Sequence, residues 1–304
     1  PTLPLFFAAW VLAGVAMAGT LYPPAFAALT RWWGPRRVTA LTALTLLAGL
    51  ASTIFAPLTA ALQETVGWRG SYLVLAAVLA TITIPAHLFG LRGRWPAPDH
   101  AEDAIVHGDQ DPARIARSYP FVLLLAATTL GTFAAFAVVV NQVPLLIERG
   151  LSPSAAAWAL GLGGLGQVLG RLGYRRLTTA LDVRARGVVI LSLSALATAL
   201  LALLPGPGVL LIAAAMLAGA ARGVFTLLQA TAVADRWGGA HYGRLNGLLS
   251  APALTVTALA PWAGAALADG LGGYPLVFWL LATLAGIAAV LMVGTVPGRH
   301  RPLA

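Results

Sequence analysis

The chain has 304 residues, 59% of them hydrophobic and 10% charged, with a mean hydropathy of +0.84; a soluble domain carries about 25% charged residues, so a water-soluble fold is excluded. The net charge of +9 does not point to nucleic acid, because the arginines sit in short loops between apolar runs rather than on one polar face. There is no cysteine, which excludes disulfides and thiolate metal sites, and the five histidines show no ligand spacing, so no metal and no cofactor is expected.

A membrane-spanning helix needs roughly 20 apolar residues. Nine such segments are predicted in chain order, near 4 to 28, 38 to 62, 72 to 91, 120 to 146, 154 to 171, 187 to 204, 208 to 233, 245 to 267 and 274 to 294. The loops between them alternate in charge. One set carries Arg31, Arg36 and Arg37, then Arg92, Arg94, Arg114 and Arg117, then the cluster from Arg171 to Arg186, then Arg236 and Arg244, and finally Arg299 and Arg301; the other carries only Arg69 and Arg149. Cytoplasmic loops collect arginine, so the arginine-rich loops and the C-terminus are expected in the cytoplasm and residue 1 outside. Every basic residue is Arg and none is Lys, which with the abundance of Ala, Gly, Leu and Pro is associated with GC-rich bacterial genomes. The expected location is therefore the plasma (inner) membrane of a bacterium.

The loop from 92 to 119 mixes Arg with Asp99, Glu102, Asp103, Asp109 and Asp111, and its Pro and Gly content reads as a solvated cytoplasmic linker. Three spans precede it and six follow. Residues 12 to 34 recur about 205 positions later without a gap, keeping Leu12/Leu217, Gly14/Gly219, Ala25/Ala230, Arg31/Arg236 and Trp32/Trp237. The echo continues with Ala56-Pro57 against Ala260-Pro261, and with GWRGSYLV at 67 to 74 against GLGGYPLV at 270 to 277. A parallel repeat of membrane helices is the pattern of secondary transporters. If the unit has six helices, residues 1–91 are the C-terminal half of a first bundle, 92–119 the linker and 120–304 a complete second bundle. About 90 residues with three further spans would then be expected ahead of residue 1.

This arrangement resembles the major facilitator superfamily, over the whole chain, as its helices four to twelve. Gly166, Arg171, Gly173 and Arg175 fall on the spacing of that family's cytoplasmic G-x-x-x-D-R-x-G-R-R motif, with Gly170 where the acid stands, and the resemblance implies a gating loop there. The segment RWWGPRRVTALTA at 31 to 43 looks like the helix-four to helix-five loop of the monocarboxylate and small-solute branches. Trp10 stands where many proton-coupled drug antiporters carry a buried Arg four residues before a Gly, here Gly14. Ala56-Pro57 with Ala60 and Ala61 is a weakened form of the antiporter G-P-x-x-G-G signature. Both departures count against a multidrug antiporter.

Arg222 lies about 14 residues, or roughly 21 Å, into its span, where an ionisable side chain is costly and functional by default. Thr226 and Gln229 follow at i+4 and i+7 and complete a polar stripe. Thr128, Thr132 and Gln142 share a face of the helix from 120, with Asn141 beside them; the resemblance makes both helices cavity liners, and helix-to-helix hydrogen bonding is the alternative. Trp10, Met17 and Tyr22 offer apolar cavity wall or lipid contact. Gln167 sits in GLGGLGQVLG, which without a preceding strand reads as close helix packing rather than a dinucleotide loop. Pro23, Pro24, Pro57, Pro252 and Pro261 mark expected kinks, and His87 reads as structural.

The expected fold is all-α: a polytopic membrane helix bundle of the major facilitator type, with about nine transmembrane helices. The expected function is secondary active transport of a small-molecule substrate by alternating access, as antiporter or symporter with a coupling proton or other ion, without covalent chemistry. A desolvated guanidinium favours a carboxylate or other oxyanion, which makes a small organic anion the expected substrate. Efflux of a drug-like compound and a truncated, non-transporting remnant are the alternatives.

Overall fold

The computed structural model describes residues 2–49, 51–93 and 111–297, leaving aside the side chains at 52, 53, 56, 57 and 60. Arg94 and the acids of the linker up to Asp109, Arg299 and Arg301, and the side chains of the Ala56-Pro57 signature lie outside that description. Every described element is helical, and by packing the chain divides into two units, Pro1–Thr42 with Asp99–Ala304, and Ala43–Pro98.

The first unit opens with α1 (Leu3–Thr20), wholly apolar and without a buried residue. Leu21 then takes an extended conformation, and α2 (Tyr22–Trp33) starts with Pro23 and Pro24 in its first turn, where a missing N–H costs nothing. The expected first span is thus two helices broken at the prolines. A 3-10 turn at Gly34–Arg36 leads into α3 (Arg37–Gly49). After the short α6 (Pro112–Ala116) come the six long helices: α7 (Tyr119–Glu148), α8 (Pro153–Ala180), α9 (Val183–Leu203), α10 (Gly208–Thr231), α12 (Tyr242–Leu271) and α13 (Tyr274–Met292), with the one-turn α11 (Ala234–Trp237) between α10 and α12. Asp182 and Ser152 cap their helices by accepting from Ala185 N and Ala155 N, and α12 closes on Gly272 in the left-handed region.

Within this bundle α8 lies against α10, α9 against α13, and α7 against α12 and α13; α2 packs on α12. The core is rich in alanine, with Ala137, Ala156, Ala159, Ala260 and Ala285 buried among Leu145, Leu201, Leu211, Phe278 and Leu281. Small residues let membrane helices approach closely, and α8 and α10 take this furthest. A Cβ on Gly219 would overlap the carbonyl oxygen of Gly163; one on Gly166, Gly170 or Gly223 would overlap the carbonyl of Met216, Ala220 or Gln167. The glycine-rich run around Gln167 is therefore a helix-packing surface.

The second unit comprises the end of α3, α4 (Ala51–Val78), a π turn at Leu79–Thr83 and α5 (Ile84–Gly90). Gly67, at φ 69°, bends α4 between the expected second and third spans. His87 bonds the carbonyl of Thr83 in its own helix. Large apolar side chains such as Ile54, Leu73 and Leu79 are exposed, as lipid-facing residues are.

Among the described residues, seven helical stretches are long and apolar enough to cross a membrane, against nine expected. The expected second span, 38 to 62, includes residues outside the description, so Leu3–Gly49 takes in only its first part. In addition, α8 has traded apolar bulk for the glycines that seat it on α10. Pro252 and Pro261, expected as kinks, lie inside a single helix, α12.

Candidate functional site

The polar stripe of α10 divides between two cavities. Thr226 and Gln229 line the larger, about 160 Å³, together with Thr128, Thr132 and Phe136 of α7, Asn246, Ser250 and Thr257 of α12, and Tyr22 and Phe26 of α2. Gln229 donates to Thr132 Oγ1 at 2.7 Å, and Thr132 donates in turn to the carbonyl of Thr128 at 2.6 Å. Thr226 returns its hydroxyl to the carbonyl of Arg222 at 3.0 Å. The lining holds hydroxyls, amides and aromatic rings, and no charged side chain.

Arg222 turns away from that cavity towards α8. Its Nη2 and Nε donate to Oε1 of Gln167 at 3.0 and 3.3 Å. With Gln142, Ser194 and Thr198 it lines a second, much smaller cavity of about 20 Å³. Asn141 belongs to neither: it donates to Ala137 O at 2.8 Å and fills the space that Gly264 leaves by lacking a side chain, so it joins α7 to α12. Trp10 and Met17 are 51% and 49% exposed on α1 and line neither cavity. Of the residues singled out in the sequence, the larger cavity thus unites Thr132, Thr226, Gln229, Thr128 and Tyr22, while Arg222 and Gln142 meet in the smaller one.

Gly166, Arg171, Gly173 and Arg175, expected in a loop, all lie within α8, which runs unbroken to Ala180. Gly166 serves the contact with α10, and Arg175 is exposed. Arg171 is 2% exposed and interacts electrostatically with Tyr22, itself part of the larger cavity's wall. The backbone contact at Gly170 explains the missing acid of the motif, since no side chain fits between α8 and Ala220.

The acid that organises this end of the bundle is Asp235 of α11. Its two oxygens accept from Arg37 at 2.9 Å and from Arg186, so one carboxylate joins the start of α3 to the start of α9. Arg186 also lies over the Tyr174 ring, whose hydroxyl meets Thr231 Oγ1 at 2.7 Å. The neighbouring Arg236 donates to Thr295 and to the carbonyl of Ala232, tying α11 to the end of α13. Burial pulls its pKa down to about 10, which leaves it charged at neutral pH. Asp235 escapes a reading of the sequence because its partner Arg37 is 198 residues away. The signal for it is the repeat: the Arg-Trp pair recurs, but Thr30 precedes the first copy and Asp235 the second. Asn246, Ser250 and Thr257 were readable too, at i, i+4 and i+11 on one helical face.

Comparison with known proteins agrees with this architecture. The Major Facilitator Superfamily model matches residues 1–208 and 122–304. Monocarboxylate transporter 13 of Bos taurus is 29% identical over 169 residues, 55% of this chain and 38% of that protein. Monocarboxylate transporter 11 of Homo sapiens is 29% identical over 173 residues, 56% and 36% of the respective lengths. The chain thus spans well under half the length of these relatives. The crystal structure of the E. coli fucose:proton symporter superposes with a TM-score of 0.68 at 12% identity, covering 86% of this chain and 70% of that one, a likeness of fold. Helix order, a small-residue bundle and a family match along the chain lead to one conclusion: this multi-pass membrane protein belongs to the Major Facilitator Superfamily.

Proposed function

We propose that the protein moves small organic anions by alternating access. The observation that carries this reading is the charge around the larger cavity. Its lining is neutral, and the guanidinium of Arg171 acts on it through the Tyr22 of its wall. In a low-dielectric bundle such charges act over several ångströms, and a planar guanidinium pairs with a carboxylate through two parallel hydrogen bonds. The names of the two monocarboxylate relatives are consistent with such a substrate.

In this reading residues 1–91 belong to one bundle and 120–304 to the other, joined by the linker 92–119, and rocking of the two exposes the cavity to either side. The Asp235 cluster lies among the arginine-rich loops, which the positive-inside bias puts in the cytoplasm of a bacterial cell, together with the C-terminus. Trp10 and Met17 take lipid-facing roles on α1, and a coupling proton or other ion accompanies the substrate.

Arg171→Gln in the intact protein should reduce organic-anion transport at least about tenfold while the protein still inserts and folds. Arg171→Lys should recover little, because an ammonium lacks the planar fork. Initial uptake rates in liposomes check both, and unchanged rates in Arg171→Gln would refute the anion reading.

A further inference from the structure

We propose that the small cavity between α7, α9, α10 and α13 binds one halide ion, held by Arg222 and Gln142. This site is separate from the larger cavity: the two share no lining residue. It does not rest on the identity of the transported solute.

Charge balance is the first ground. Arg222 sits mid-helix in α10, and its guanidinium donates to the neutral oxygen of Gln167. Among the described residues no carboxylate forms an ion pair with it; the ion pairs there are those of Asp235 with Arg37 and Arg186. Arg171 lies near enough to add positive potential. A buried charge without a counter-ion costs far more than a buried dipole, so a neutral occupant such as water would satisfy hydrogen bonds and leave the larger cost in place.

The second ground is independent. Gln142 is 3% exposed, and its Nε2 is buried with no hydrogen-bond partner. A primary amide nitrogen can only donate, and this one belongs to a residue lining the same cavity as Arg222. Two residues from different helices, one charged and one with an unsatisfied donor, line one small space.

Size and polarity select the ion. About 20 Å³ admits a single species the size of a water molecule; it excludes a carboxylate-bearing solute. Ala134, Val138, Ala218 and Ala285 supply apolar wall, which suits weakly hydrated chloride or bromide better than a strongly hydrated oxyanion. Ser194 and Thr198 donate to carbonyls of their own helix, at 3.1 and 2.8 Å. The longer Ser194 bond makes its hydroxyl the one that can rotate inward as a third donor.

The test uses the purified intact protein at constant ionic strength, with sodium chloride, bromide, gluconate or sulfate, and reads thermal unfolding alongside equilibrium dialysis of radiolabelled chloride. The expected result is saturable binding of one chloride per chain and a stabilisation given by chloride and bromide alone. Arg222→Gln should abolish both. Gln142→Leu, which keeps the charge, should weaken chloride about fivefold by removing one donor, and it serves if Arg222→Gln does not fold. Equal stabilisation by all four salts, absence of bound chloride, or binding unaltered by Gln142→Leu would overturn the proposal. A protein that binds chloride but moves no organic anion would refute the proposed transport and leave this site standing, and the converse result would do the opposite.

Discussion

Gly219→Leu should leave little folded protein, whereas Gly161→Ala, on the α8 helix that faces it, should be tolerated. At Gly219 even a Cβ would enter the carbonyl oxygen of Gly163, and backbone cannot swing aside as a flexible side chain can. The helices would have to separate, which breaks the close approaches at Gly166, Gly170 and Gly223 together and draws Gln167 away from Arg222. Overpacking alone costs about 1–3 kcal/mol; with the lost contacts and an unpaired guanidinium the sum should reach at least about 3 kcal/mol. Gly161 has no neighbouring atom within 4 Å of its added Cβ, so alanine there gains only the usual helix preference of roughly 1 kcal/mol. Size-exclusion profiles in detergent and thermal unfolding would separate the two. A monodisperse Gly219→Leu protein with unchanged unfolding temperature would contradict the packing.

Asp235→Asn should detach the loop before α3 from the bundle. The carboxylate is 11% exposed and serves two arginines, Arg186 at 5% and Arg37 at 26%. Asparagine keeps the shape but offers one acceptor oxygen and no charge, which leaves two guanidinium groups near each other without a counter-ion. Breaking a largely buried pair from one side costs on the order of 3 kcal/mol, because the surviving charge stays desolvated. The proposed alternating access requires this end to close in part of each cycle, so transport should fall about tenfold or more. Asp235→Glu should retain part of the activity. Labelling of the half-buried neighbour in Val38→Cys, in a chain with no native cysteine, should quicken when Asp235→Asn is added. Wild-type transport in Asp235→Asn, with no change in that labelling, would remove the ion-pair cluster from the mechanism.

Much of the fold could be read from the chain because membrane helices declare themselves through length and apolar content. The duplication around Gly14 and Gly219, and the packing role of the run at Gln167, follow from residue type alone. The division of the Arg222, Thr226, Gln229 stripe does not. Positions i, i+4 and i+7 fall within about 60° of one helix face, and whether that stripe meets one cavity or two depends on the rotation of α10, which the glycine contacts with α8 fix. Seating α8 so close brings Gln167 to Arg222, and a reading by sequence periodicity has no access to that approach. Asn141 illustrates the same limit: it neighbours Gln142 in sequence, yet it packs against Gly264 while Gln142 faces the small cavity. Long-range pairing is the other gap, since the Arg37–Asp235 bond joins segments whose proximity only the bundle creates.

The central claim is that the cavity beside Arg171 selects negative charge. Its most direct test is uptake into liposomes of a radiolabelled small carboxylic acid and of the corresponding neutral amide, matched in size and hydrogen-bonding capacity, by the intact protein. The account predicts that the acid enters at least about tenfold faster, since each factor of ten asks only about 1.4 kcal/mol of electrostatic discrimination. Equal rates, or faster entry of the amide, would contradict it and would assign the aromatic-walled, uncharged cavity to a neutral solute instead.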